Sequence, residues 1–233
     1  MPANIIKCQN CTLASACLPV GLSKMDMQQL ETSVTKQQTH SKAAFLARSN
    51  DRLENLYAVR AGSFKSVKID NDGNQRILDF HLPGELIGLD CLAGGNFHYD
   101  IIALENSSTC DISKEKLFEI ASHSKNVQAH MFNLMSQRLS DYQKFNSQAH
   151  ADERTALFLL AIFTRYKNCG FSKKSFELPM SRNDIGDFLG LAAETVTRIL
   201  KKFEREKLIN IANRIVTITD EAKLHDIANC KRG

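Results

Sequence analysis

Four cysteines carry the most visible chemistry in this sequence. Cys8, Cys11 and Cys17 form a C-x2-C-x5-C run, and Cys110 stands far away in the stretch ENSSTCDI. Thiolates crowded this closely repel one another unless a cation or a cluster compensates them, so a metal centre is the expected role. Four cysteines suit a [4Fe–4S] cluster and structural zinc alike, and the spacing alone leaves both open. An enzymatic thiol pair at Cys8 and Cys11 competes, but a C-x-x-C redox site normally opens a helix beside a βαβ unit, and no such pattern surrounds this one. No phosphate-cradling glycine loop, H-E-x-x-H helix or nucleophile elbow is present either. Of the remaining cysteines, Cys91 in GLDCLAGG reads as a small core residue, and Cys169 and Cys230 read as loop and tail thiols.

A second candidate site lies between residues 181 and 218. Ser181 followed by Asp184 is a capping-box start, and Ile185, Phe188 and Leu189 give a short amphipathic helix that Gly190 closes. In the helix that follows, Val196, Ile199, Leu200 and Phe203 share one face, while Glu194, Thr197, Arg198 and Lys201 share the other. That polar face suits double-stranded DNA: Arg forks onto guanine, Glu accepts from cytosine N4, and Thr offers a methyl to thymine. Two β-type runs, Leu208 to Ile211 and Ile215 to Ile218, flank Ala212-Asn213-Arg214 and form a wing whose Arg214 reaches phosphate. Lys201 and Lys202 are further phosphate candidates. The bland alternative is a helical hairpin with a solvated face.

A third pattern is a stripe. Val127 to Gln148 reads as one long helix, with Phe132, Met135, Leu139 and Tyr142 at spacings of three and four. The stripe is either intramolecular core or the seam of a homodimer.

The elements that must position these groups follow from period and punctuation. Ser23 to Val34 reads as a helix with Ser23 as cap. From about Phe45 to Asp111 come short β-type runs (Leu56 to Val59, Phe64 to Ile69, Ile77 to Leu82), with a hairpin turn at Asp72-Gly73 and loops at Pro83-Gly84 and Gly94-Gly95. Regularly spaced short strands suggest a barrel-like roll.

Composition sets the remaining bounds. The 233 residues are 43% hydrophobic and 24% charged, enough for two modest folded domains. No run approaches a membrane span and the start lacks a signal-peptide core, so no membrane role and a cytoplasmic address are expected. There, cysteines are better read as ligands than as disulfides. The net charge of +4 resides in residues 151–233, where 15 Lys and Arg stand against 11 Asp and Glu.

With these residues in view, the chain resembles FNR-type oxygen-sensing regulators of the CRP/FNR superfamily, named for the cyclic-AMP receptor protein and the fumarate-and-nitrate-reduction regulator. RNDIGDFLGLAAETVTRIL is similar to that family's helix-turn-helix, with Glu194, Thr197 and Arg198 standing where a Glu-x-x-Ser-Arg triad reads DNA; Thr197 replaces Ser. LYAVRAGSFKS and DFHLPGELIGLD look like its β-roll.

The resemblance implies Cys8, Cys11, Cys17 and Cys110 as ligands of a [4Fe–4S] cluster. A zinc-stabilised or thiol-redox regulator of the same family is the alternative. It further implies a homodimer joined along Phe132, Met135, Leu139 and Tyr142, palindromic DNA with TTGAT-type half-sites, and RNA polymerase as partner. In the sister branch that binds cyclic AMP, an Arg-Ser pair meets the phosphate; here Tyr99 and Asp100 stand there, and Leu89 replaces an acidic residue, which disfavours a cyclic nucleotide. Tyr142 also stands where the family places an Asp that keeps the cluster-free form apart, so the apo-protein should dimerise more readily. The expected fold is α+β: a cysteine arm (1–20), a cyclic-nucleotide-binding-like β-roll (21–125), a long dimerisation helix (126–150) and a C-terminal winged helix-turn-helix (151–233).

Overall fold

The computed structural model describes residues 7–14, 16–19, 22–70, 72–146, 150–171 and 174–229. The chain divides into two compact units, Met1–Arg138 and Leu139–Gly233, and the division falls inside a helix.

The first unit begins with the arm. A single 3-10 turn at Cys8–Asn10 is followed by a tight turn in which Cys17 N–H donates to the Leu13 carbonyl at 2.9 Å. Leu13 and Leu18 are buried, so the arm is anchored by its apolar residues. Helix α1 (Lys24–Ser33) starts at Ser23, whose hydroxyl accepts from Asp26 N–H as the cap reading requires.

Eight strands follow: β1 (Val34–His40), β2 (Phe45–Ala47), β3 (Asn55–Ala61), β4 (Phe64–Ile69), β5 (Gln75–His81), β6 (Leu86–Ile87), β7 (Asp100–Ala103) and β8 (Ser107–Ser113). They form two four-stranded antiparallel sheets, ordered β1-β8-β3-β6 and β2-β7-β4-β5. Leu53, Leu56, Phe64, Ile87, Phe97 and Ile101 are almost wholly buried in the core of this roll. The hairpin between β4 and β5 turns through Gly73 at φ +82°, a left-handed conformation in which glycine carries no Cβ penalty.

The roll begins earlier than the β-type runs indicate, because β1 is a polar edge strand, VTKQQTH, that lacks the alternating apolar pattern of a half-buried strand. Helix α2 (Lys114–His123) and the part of α3 (Lys125–Asn146) up to Arg138 complete the unit, and Val127 and Met131 of α3 join the core. Helix α3 starts two residues before the sequence-based start; Gln148, its expected end, lies outside the described residues.

The second unit contains α4 (Ala151–Asn168), β9 (Ser175–Glu177), α5 (Arg182–Leu189), α6 (Ala193–Arg205), β10 (Ile209–Ala212), β11 (Ile215–Ile218) and α7 (Glu221–Ala228). Its three-stranded sheet runs β10-β11-β9, adding a strand to the expected two-stranded wing. Phe158, Phe163, Val196, Phe203, Val216 and Leu224 are buried within it.

Candidate metal centre and nucleic-acid interface

Three elements position the four thiols. Cys8 opens the 3-10 turn, and the next residue is pinned to α1 by Gln9 N–H donating to Glu31 Oε1 at 3.1 Å. Cys17 packs against the roll's core. Cys110 occupies the middle of β8, opposite Gln37 on β1 and Ala58 on β3. Its neighbours Thr109 and Asp111 are buried, whereas Cys110 is half-buried, as alternation along a strand demands.

The thiols share one electrostatic neighbourhood. Burial pushes the Cys8 thiol up to about 11, with added repulsion from Glu31, Cys110 and Cys11. Burial pushes Cys17 to about 12, with Cys8, Cys110 and Cys11 contributing in the same direction. Cys110 is raised by burial and by Cys11. Residues far apart in the chain are thus brought within range of each other's charge.

Among the described residues, no group of three or more His, Cys, Asp and Glu is arranged to hold a single metal ion. The donor set fits an iron–sulfur cluster all the same. Cys8, Cys17 and Cys110 resist ionisation through burial and repulsion from neighbouring sulfurs, which a positively charged centre would relieve, and a set of four cysteine thiolates is the usual ligand shell of a [4Fe–4S] group. An orphaned polar atom lies at the same place: His130 Nε2 on α3 is buried without a hydrogen-bond partner, while its ring meets the backbone of Cys17. Cys91 is fully buried in the core and Cys169 caps the end of α4; Cys230 lies outside the described residues.

The stripe on α3 faces away from the chain's own core. Phe132, Met135, Leu139 and Tyr142 are 69%, 42%, 60% and 67% exposed. On another face, Arg138 reaches the roll, donating from Nη1 to Asp79 Oδ2 and from Nη2 to the Leu86 carbonyl, each at 2.8 Å.

In the second unit, Ser181 and Asp184 form the expected capping box, each side chain accepting from the other's backbone N–H. Gly190 ends α5 at φ +65°, and Gly186 lies so close to the turn that a Cβ there would stand 2.5 Å from the Leu191 carbonyl oxygen. Helix α6 buries Val196, Ile199, Leu200 and Phe203, the four residues assigned to its inner face.

Glu194, Thr197, Arg198 and Lys201, together with Ala193, Glu204 and Arg205, line one open concave surface. Thr197 Oγ1 donates to the Ala193 carbonyl at 2.8 Å, so its hydroxyl hydrogen is committed to the helix itself. Lys202 does not line that surface: its Nζ lies 3.5 Å from Asp152 of α4. Arg205 joins the surface in its place, a residue that the helical period from Arg198 could have identified.

The wing is a two-residue hairpin, Ala212↔Ile215, with Asn213 at φ +57° and Arg214 exposed at the tip. Glu204 Oε1 accepts from Ile211 N–H at 3.0 Å, tying the wing to α6.

Inside the roll, Tyr99 and Leu89 are buried, and the Tyr99 O–H donates to the Asp90 carboxylate at 2.6 Å. Burial and the Asp90 charge both raise the phenol's pKa. Asp100 accepts from Ser49 N–H at 2.8 Å.

Two protein families match these units. The Crp-like helix-turn-helix domain matches residues 153–227, and the cyclic nucleotide-binding domain matches residues 37–124. The chain is 33% identical over 230 residues to the fumarate and nitrate reduction regulatory protein of Vibrio cholerae, spanning 97% of this chain and 92% of that protein. It is 37% identical over 228 residues to the transcriptional activator protein Anr of Pseudomonas protegens, spanning 97% and 93%. Among solved structures it is similar to FixK2 from Bradyrhizobium japonicum, with a TM-score of 0.75, 27% identity, and coverage of 84% of this chain and 98% of that one.

Proposed function

Because this chain belongs to the CRP/FNR family of DNA-binding transcription regulators and is not an enzyme, we infer that it is an oxygen-responsive member whose arm and β8 hold a [4Fe–4S] cluster through Cys8, Cys11, Cys17 and Cys110. The observation that carries this reading is the convergence of the four thiols, three from the arm and one from the middle of the roll, within range of one another's charge. When bound, the cluster supplies the oxygen-reactive centre. No helix among the described residues is long and apolar enough to cross a membrane, and the protein is read as working on DNA in the cytoplasm.

The residues around the thiols give the arm a route to the dimer helix. Leu18 shares a core with Val127 and Met131 of α3, and His130 meets the Cys17 backbone. Holding the arm therefore bears on α3, whose exposed stripe Phe132, Met135, Leu139 and Tyr142 is the proposed homodimer seam. A few kcal/mol of preference for the dimer suffices to switch operator occupancy. Tyr142 puts no carboxylate in the seam, so the cluster-free chain is expected to retain some dimer.

A dimer presents two α6 faces to successive major grooves. Arg198 is assigned to guanine, Glu194 to the paired cytosine, and Thr197 to a thymine methyl, its hydroxyl hydrogen being held by Ala193. Lys201, Arg205 and Arg214 are assigned to phosphates, with Lys202 a weaker contributor because Asp152 competes for it. RNA polymerase is the expected partner of the DNA-bound dimer. The roll is not assigned a cyclic nucleotide: Tyr99 and Asp90 occupy each other, and the Asp100 carboxylate would repel a phosphate.

The test is a binding titration of anaerobic and air-treated protein against a TTGAT-type palindrome and a version with the G·C pair swapped. Tight binding of the anaerobic protein to the first DNA alone, lost on air treatment, supports the reading. Equal binding before and after air overturns it.

A further inference from the structure

Cys110 sits beside two polar side chains that none of the roles above uses. Gln37 opposes it directly on β1. Arg60 lies within the irregularity of the β3/β8 ladder between Val59 and Ala61, and its Nη1 donates to Gln37 Oε1 at 3.4 Å. With that oxygen engaged by Arg60, the amide turns its NH2, which can only donate, toward the other side.

We propose that Arg60 and Gln37 form a hydrogen-bonded relay onto the Cys110 sulfur that withdraws electron density from this thiolate and slows oxidation of a centre held there. This rests on Cys110 being a cluster ligand.

The physical case has three parts. Gln37 and Cys110 are directly opposed cross-strand partners of β1 and β8, which brings the Gln37 NH2 within reach of the Cys110 sulfur while Arg60 holds the amide oxygen. A donor that is itself polarised by a cation donates more strongly, so the two act together. Hydrogen bonds and charge at the sulfurs are established levers on iron–sulfur potentials. Beside Cys8 stands a carboxylate instead, since Glu31 Oε1 accepts from the N–H of the next residue, Gln9, at 3.1 Å. Cys8 and Cys110 thus have charged neighbours of opposite sign, and the cation stands by the ligand that belongs to the roll.

The experiment compares full-length wild-type protein, reconstituted anaerobically with iron and sulfide, with Arg60→Gln, Gln37→Leu and Arg60→Lys. Iron content, the midpoint potential and the rate of absorbance loss in air are measured for each. Arg60→Gln and Gln37→Leu are expected to load iron as wild type does, to show a lower midpoint potential, and to bleach up to about tenfold faster, while Arg60→Lys restores most of the wild-type behaviour. Loaded variants with wild-type potential and bleaching rate would overturn the relay. So would folded variants that fail to load iron whether or not the charge at position 60 is kept, since Arg60 would then serve assembly. Wild-type protein that takes up no iron would instead overturn the cluster reading on which the relay rests.

Discussion

Arg138 of α3 and Asp79 of β5 meet at 2.8 Å, in a bond that joins the proposed dimer helix to the β-roll. The same guanidinium donates to the Leu86 carbonyl, so it is held by a charge and by a neutral acceptor at once. Both side chains are about one-third exposed, and solvent screens the ionic part.

Arg138→Ala removes both bonds together with a longer contact to His81 Nδ1 at 3.5 Å, and is expected to cost about 1–2 kcal/mol, read as a lower melting temperature. Salt should recover little of this difference, because the Leu86 bond is not ionic. A variant that melts with the wild type would show that α3 is held by its apolar contacts alone.

The stripe makes a second expectation. Leu139 is 60% exposed, so Leu139→Glu should leave the fold intact while placing like charges across a two-fold axis. Sedimentation of the loaded protein should then report a monomer. An unfolded product would assign the stripe to structure within the chain.

The turn between α5 and α6 depends on two glycines for different reasons. Gly186→Ala drives a Cβ to within 2.5 Å of the Leu191 carbonyl oxygen, which the backbone must move to relieve. Gly190→Ala meets no such atom but holds φ +65°, a strain of about 1–2 kcal/mol. Both should lower the stability of the second unit and weaken DNA binding, with Gly186→Ala the more severe. Equal melting of the two variants would refute the distinction.

On α6, Arg198→Ala is expected to cost about 1–3 kcal/mol per half-site and to relax discrimination at the G·C pair. Lys201→Ala should weaken all sequences alike and flatten the salt slope, and Lys202→Ala should do so less because Asp152 holds it. Full discrimination in Arg198→Ala would remove it from the reading face.

What the sequence made legible was local. The Ser181 and Asp184 cap and the inner face of α6 follow from spacings of three and four, and the structure shows both; the wing was legible as well, but its turn is Asn213-Arg214 alone, because Ala212 pairs with Ile215 instead of joining the expected three-residue turn. What it concealed depends on pairing across the chain. Strand β1 is polar because it is an edge, and β9 is three residues long, so neither stands out by pattern. Gln37 and Arg60 reach Cys110 only through the register of β1, β8 and β3, which no local spacing records. Lys202 is an intermediate case: helical phase separates it from Lys201, but its partner Asp152 lies on another helix.

The central claim is the cluster, and iron and acid-labile sulfide analysis of anaerobically purified protein tests it most directly. About four iron and four sulfide per chain are expected, bleached by air, abolished by Ser at Cys8, Cys11, Cys17 or Cys110, and retained in Cys91→Ala. Stoichiometric zinc without iron in the anaerobic protein would contradict the claim.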